Sequence, residues 1–366
     1  MCRGKKKYWL GINMNSAITP QRFHLLLNHF SSVEKIWNAS REELESVEGF
    51  GGAAEKFCNQ RDEEDLKEEL EKCRERNLEV LTLDDTRYPD SLRTIDKPPP
   101  VLYVKGDYQE EDQLGIAMVG TRKNTNYGKK VAKDLAAQLA REGFTLVSGM
   151  ARGIDTYSHK AALGSGGRTI AVMGTGFDHT YPKSNANLMR EISRNGAVIT
   201  EFPSYQRPAK WTFPQRNRII SGLTRGTLVV EAPESSGALI TAHDALTQGR
   251  EVFAVPGDIR KSTMRGNHGL IKDGAKLVED VSDVVEEFKD LQAALPFDQN
   301  EEKEPGEDLT GAKKEVFSLL DYEPIHFNDV VAKTDFSPAR ISHIMFQLEM
   351  DDLVERLEGN QWVKAQ

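Results

Sequence analysis

The feature that most constrains this chain is a series of short apolar runs that alternate with helical stretches over its middle third. Ile116–Val119, Phe144–Val147, Thr169–Met173, Ala197–Thr200, Thr227–Val230 and Val252–Val255 form the series. Helical patterns lie between them, from about Tyr127 to Arg141, from about Asp155, and from near Ser184. Short Val- and Ile-rich strands separated by helices predict an α/β domain with a parallel, doubly wound sheet. In such sheets ligands bind beyond the carboxyl ends of the strands.

The loops at those ends share two features. They are Val119-Gly120-Thr121-Arg122, Ser148-Gly149-Met150-Ala151-Arg152-Gly153-Ile154-Asp155, Gly174-Thr175-Gly176 with Tyr181-Pro182 and Asn185, and Thr200-Glu201-Phe202-Pro203. Phe213-Pro214-Gln215-Arg216-Asn217-Arg218 then opens a helix. Glycine lets backbone approach a ligand, and free amides at helix starts attract phosphate. Arg122, Arg152, Arg216 and Arg218 add fork-shaped donors suited to phosphate oxygens. A single arginine after a strand is usually just solvated; several along one rim favour an anion site.

Charge agrees once it is resolved along the chain. The 366 residues carry a net charge of −9, which by itself argues against nucleic acid. Yet Gly120 to Arg225 holds 17 Lys and Arg against 6 Asp and Glu, a net of +11 inside an acidic remainder of −20. A basic block of this kind is an electrostatic footprint for an anion. Phe177, Tyr181, Phe202, Trp211 and Phe213 lie in the same loops. Rings among cations suit the bases and phosphates of a single strand. Phe202 and Phe213, each followed by proline, read equally well as packing anchors.

Cofactor fingerprints are absent. Gly174-Thr175-Gly176 lacks the third glycine of a dinucleotide-binding turn, and Gly120 to Lys130 has the wrong spacing for a P-loop. Catalytic constellations are thin. Asp155 and His159 are four apart on an expected helix and within mutual reach, but Ser148 sits in no G-x-S-x-G elbow. Asp155 reads more simply as a helix cap. Glu201 and Glu231 end strands and are candidates to face the cleft. No histidine or cysteine spacing suggests a metal, and no cofactor is expected. Cys2, Cys58 and Cys73 read as free thiols of a reducing cytosol. No apolar run is long enough for a membrane span, and no secretory leader is expected after the basic start Met1–Lys7.

Four regions are expected: a helical domain over 1–82, the α/β domain over 83–290, an acidic linker over 291–308, and a winged helix over 309–366. Leu44–Ala54, with Gly49-Phe50-Gly51, reads as a helix-hairpin-helix turn, but Glu42, Glu43, Glu45 and Glu48 would repel phosphate there. The linker carries Glu301, Glu302, Glu304, Glu307 and Asp308 around Pro305-Gly306, a composition that argues disorder. In the last region Ser337-Pro338 starts the third helix, and a hairpin wing turns at Gly359-Asn360. That region holds 6 Lys and Arg against 10 Asp and Glu. A groove reader needs the opposite sign, so it is expected to contact protein or to play an accessory DNA role.

On these residues the chain resembles the DprA (Smf) family. The matching motifs are V-G-T-R at Val119–Arg122, S-G-x-A-x-G-I-D at Ser148–Asp155, G-T-G with Tyr181-Pro182, and E-F-P at Glu201–Pro203. F-P-Q-R-N-R-I-I-S-G-L follows at Phe213–Leu223, then V-V-E-A-P and S-G-A-L-I-T-A between Val229 and Ala242. Gly249-Arg250, V-F-A-V-P-G at Val252–Gly257, Gly266-Asn267, and Leu270-Ile271 before Gly274-Ala275 close the series. Thr200 and Thr224 depart to threonine where serine is frequent, keeping the hydroxyl.

The resemblance implies an extended Rossmann-like fold flanked by a helix-hairpin-helix (SAM-like) domain and a winged helix. It implies a cytoplasmic, homodimeric protein without turnover. That protein would protect incoming single-stranded DNA and load the RecA recombinase onto it during natural transformation. Carried over by position, it implies DNA contacts at Gly120, Thr121, Arg122, Ser148, Gly149, Arg152, Lys183, Arg216 and Arg218. It also implies a dimer surface around His268, Leu270 and Ile271. One competing expectation is a phosphoribohydrolase-like enzyme of the same fold. Ala232-Pro233-Glu234-Ser235-Ser236-Gly237 lacks the paired glycines and terminal Glu of that enzyme's loop. A second is a duplex-DNA regulator acting through the winged helix.

Overall fold

The computed structural model describes residues 3–289, 309–320, 325–334, 336–351, 353–357 and 359–364. The expected linker lies outside them. The chain divides into two compact units, residues 1–296 and 297–366.

The larger unit opens with six helices: α1 Arg3–Met14, α2 Pro20–Phe30, α3 Val33–Asn38, α4 Arg41–Glu45, α5 Gly51–Asn59 and α6 Glu63–Glu75. Local chemistry sets their starts. Thr19 caps α2 ahead of a proline, and Ser40 with Glu43 forms a capping box on α4. The chain then enters a nine-stranded sheet. Its strands are β1 Glu79–Thr82, β2 Val101–Gly106, β3 Gly115–Val119, β4 Thr145–Ser148, β5 Thr169–Val172, β6 Gly196–Thr200, β7 Gly226–Val229, β8 Glu251–Ala254 and β9 Lys276–Leu277. The helices between and after them are α7 Asp90–Arg93, α8 Asn126–Arg141, α9 Ile154–Gly164, α10 Ala186–Ile192, α11 Thr212–Gly222, α12 Ala238–Thr247, α13 Arg265–Lys272 and α14 Ser282–Val285.

The strand order is β1-β2-β6-β5-β4-β3-β7-β8-β9. From β6 to β9 every pairing is parallel, as the crossovers require. At the other edge β1–β2 and β2–β6 are antiparallel. The doubly wound sheet is therefore extended by an antiparallel edge. β1 forms before the boundary expected at residue 82.

Side-chain alternation explains how β2 is buried on both faces. Leu102 and Val104 join the core of the sheet domain, with Ile170, Val172 and Ile199. Val101 and Tyr103 join the core of the helical region, with Trp9, Phe23, Trp37 and Phe57.

The smaller unit contains α15 Gly311–Ser318, α16 Phe327–Ala332 and α17 Pro338–Met350, with strands β10 Ile325–His326, β11 Val354–Leu357 and β12 Gln361–Lys364. Ser337 caps α17 with Pro338 at its first position. Ile341, Ile344, Met345 and Leu348 bury one face of α17 against Val316, Phe317 and Trp362. The β11–β12 hairpin is the expected wing. No helix among the described residues is long and apolar enough to cross a membrane.

Candidate nucleic-acid interface

A cleft of about 750 Å³ opens at the carboxyl ends of β3 and β7. Strands β4, β5 and β6 extend to one side of β3, and β7 to β9 to the other. The cleft thus occupies the point where the winding reverses, the place a doubly wound sheet reserves for ligands. Gly120 to Lys123 form one wall, and Ser235 to Ala238 at the start of α12 form the opposite one. Asp155, Arg216 and Asn217 line it from between, with Tyr181, Lys210 and Phe213 alongside.

Glu231 shapes the first wall from below. Its backbone oxygen accepts from Thr121 N at 2.7 Å, and its Oε2 accepts from Thr125 N at 2.9 Å. Lys123 N donates to Thr121 Oγ1 at 3.2 Å. These amides, expected to be free for phosphate, are already engaged, so this wall offers side chains to a ligand. Neither Glu231 nor Glu201 faces the cleft. Both are buried, and Glu201 forms an ion pair with Arg218. Burial pushes the Glu201 carboxyl upward while Arg218 pulls it back.

The second loop is wound tightly. Gly153 sits at φ +83, where a Cβ would fall 2.3 Å from the Thr121 carbonyl oxygen, so only glycine fits. Ser148 is buried, and its Oγ donates to Met118 O at 2.6 Å. Gly149 leaves room for the Arg216 guanidinium, which donates to Gly149 O at 2.7 Å and to Val172 O. Asp155, also buried, is not the expected cap: Gly153 holds the cap position without a side-chain bond, and Asp155, inside α9, accepts instead from Ala151 N in the preceding loop at 3.3 Å. Burial raises its carboxyl, and Arg216 opposes that rise. Burial likewise lowers Arg216, to about 10. Arg216 therefore lies beneath the cleft as an inner positive charge that ties two strand ends together.

The nine carried-over positions fall into groups. Gly120, Thr121 and Arg122 line the cleft, and Arg216 lines it from below. Ser148 and Gly149 support Arg216 and the neighbouring strand end. Arg152 and Lys183 are exposed in the loops after β4 and β5, outside the cleft lining. Asn185 links those loops, its Nδ2 donating to Met150 O and to Thr156 Oγ1, both at 2.9 Å. Arg218 is turned away: it donates to Lys97 O at 2.7 Å and pairs with Glu201. Two positions apart on α11, Arg216 and Arg218 project about 200° apart and cannot share a wall.

Arg122 is exposed, its guanidinium 5.4 Å from the centre of the Phe213 ring. Tyr181 lies against the same ring, with centroids 5.4 Å apart. Trp211 is exposed and meets the buried Phe202 edge-on. Sequence reasoning did not single out Lys123 and Lys210, which also line the cleft. Their signal was their place in two of the strand-end loops. Among the described cleft-lining residues Asp155 is the only carboxylate.

His159 belongs to no constellation. It is buried with Nδ1 2.7 Å from Thr169 Oγ1, and burial lowers it to about 3. Of the residues carried over as a dimer surface, His268 and Leu270 lie on α13 with Ile271, all half-buried. His268 Nε2 is 3.1 Å from Gly257 O, and Leu270 packs against the sheet core.

A Rossmann-type sheet with a cationic, aromatic-walled crevice at its switch point places the chain in the doubly wound α/β class. Residues 79–289 match the family model described as DNA recombination-mediator protein A, and residues 300–360 match the DprA winged helix domain. Protein Smf of Synechocystis sp. is 34% identical over 98% of this chain and 98% of its own length. DNA processing protein DprA of Bacillus subtilis is 43% identical over 61% of this chain and 76% of its own. The crystal structure of DNA processing protein A from Streptococcus pneumoniae superposes with a TM-score of 0.69 at 35% identity, covering 77% of this chain and 97% of that one. A second structure, of the Helicobacter pylori protein and concerned with its single-stranded DNA binding mode, gives 0.52 at 28% identity over 58% of this chain and 96% of that one. The chain belongs to the DprA (Smf) family of DNA-processing proteins.

Proposed function

We propose that this protein holds single-stranded DNA along the rim formed by the loops after β3, β4 and β5, and passes it to RecA during natural transformation. One observation carries the reading. Arg122 and Tyr181 both lie against the Phe213 ring, the guanidinium 5.4 Å from its centre and the tyrosine ring tilted at 46°, in the lining of a cleft that also presents Lys123 and Lys210. A flat ring beside a cation offers a base a stacking surface and its phosphate a partner, without reading sequence. Exposed Arg152 and Lys183 continue the cationic path over the adjacent loops. The single-strand binding mode described for the Helicobacter pylori relative supports the same assignment.

The protein works as a binding module, as a homodimer joined around α13, and in the cytoplasm. Competition between single- and double-stranded oligonucleotides of one sequence tests the core of the reading. Preference for the single strand is expected, and preference for duplex would sink it. Handover is tested by RecA strand exchange on oligonucleotides pre-coated with a single-strand binding protein, where the chain should shorten the lag. Incubation with nucleoside monophosphates should release no free base. Sedimentation of a Leu270→Glu, Ile271→Glu variant should give a monomer.

A further inference from the structure

A second concavity, of about 400 Å³, lies in the larger unit between α1, α3 and the α5–α6 corner, with Tyr205 from the loop after β6. Its charge is opposite to that of the cleft. Asp62, Asp65, Glu68 and Glu69 line it, and Lys72 is the one cation among its lining residues. That cation is already committed, with Nζ 2.6 Å from Glu68 Oε1. Asp65, on the first turn of α6, is exposed and its carboxylate makes no ion pair among the described residues.

Glu69 is the telling residue. It is only 1% exposed. Its Oε1 accepts from Ser204 N at 2.8 Å, while its Oε2 has no hydrogen-bond partner. A buried carboxylate oxygen left without a donor is costly, and the cost falls when a cation stands beside it. The pocket next to it is polar, negative and large enough for more than a bare ion. Two rings flank it: Trp37, and Tyr205, whose hydroxyl donates to Met14 O at 3.1 Å. Aromatic faces and carboxylates together are the surroundings in which an ammonium or guanidinium group on an aliphatic stem is held. Among the described residues no group of His, Cys, Asp and Glu is arranged to hold a metal.

We propose that this pocket binds an organic cation, an alkylammonium or guanidinium head with its methylene stem. Asp65 and Glu69 face the head, Glu68 stands beside them paired with Lys72, and Trp37 and Tyr205 flank the stem. Two sources carry that chemistry, a free polyamine and a Lys or Arg side chain of another protein. The site needs no DNA and stands apart from the function proposed above.

Calorimetric titration of the full chain without DNA tests it, with spermidine in one arm and a short uncharged peptide containing a single Arg in the other. Saturable one-to-one binding is expected in at least one arm, accompanied by a shift of the Trp37 indole N–H signal. Spermidine alone would point to the free amine, and a stronger peptide response to a protein partner. Asp65→Asn and Glu68→Gln change exposed positions and should leave the fold intact. Each should weaken binding about tenfold, the loss expected for a missing charged partner. Glu69→Gln keeps an acceptor for Ser204 N and should weaken it too. The proposal falls if neither probe binds, if all three variants bind like the parent, or if Mg²⁺ at equal charge reproduces the signal.

Discussion

The switch-point cleft and the winged helix are both built on folds that commonly meet nucleic acid, yet they present opposite surfaces. Around the cleft, cations outnumber the single lining carboxylate, and rings lie between them. On α17, the helix that would enter a groove, Phe346 and Met350 are 57% and 69% exposed. Arg340 there is stacked over Phe336 at 4.6 Å, and the region from Leu309 onward is net negative. A major-groove reader needs phosphate-neutralising charge before any base contact counts. The contrast teaches that a fold supplies the shape of a DNA surface and the side chains supply its sign.

The contrast is broken or sharpened by four measurements. The largest effect is expected from Arg122→Ala with Lys123→Ala. Single-strand affinity should fall on the order of 100-fold, from two charged contacts of about 1.5 kcal/mol each. The slope of log K against log salt should flatten by about 1.4. Anisotropy titrations over a salt series read both, and parallel lines for parent and variant would remove the cleft from the binding surface. Phe213→Ala should cost about 1–3 kcal/mol of affinity with little change in salt slope, as a lost stacking contact does.

The third effect is on stability and belongs to the sheet domain. His159 is held neutral in the fold down to about pH 3, against an ordinary value of 6.5. Below pH 6.5 the unfolded chain takes up a proton that the fold refuses. Stability is therefore full above 6.5 and declines as pH falls toward 3, by up to about 1.4 kcal/mol per pH unit. Urea unfolding between pH 6.5 and 5 should show this slope, and His159→Gln should reduce it. The smallest effect is expected from removing residues 297–366. Single-strand affinity should stay within about twofold, because the lost segment carries net negative charge. Loss of binding by a truncated protein with an unchanged circular dichroism spectrum would reverse the ranking of the two regions.

Much of the sheet was legible because its parallel strands are short apolar runs with helices between them. β3 to β8 appear within a residue or two of the positions read from that pattern. The antiparallel edge was not legible. Val101–Gly106 follows a proline run that reads as a connection, and its pairing with β1 and β6 is non-local. The loops that line the cleft were legible, but the direction of each cation in them was not. Arg216 and Arg218 looked equivalent in composition, although their spacing on a helix already placed them on different sides. The amides of the first loop looked free because Glu231, which takes them, lies about a hundred residues downstream.

Strand β2 acts as a party wall. Tyr103 and Val101 look into one room and Leu102 and Val104 into the other, so neither room can be emptied without opening the other. Heating should therefore melt the helices of the first 75 residues together with the sheet, as one calorimetric event. A cut made at residue 82 would leave both halves with an apolar face bare to water.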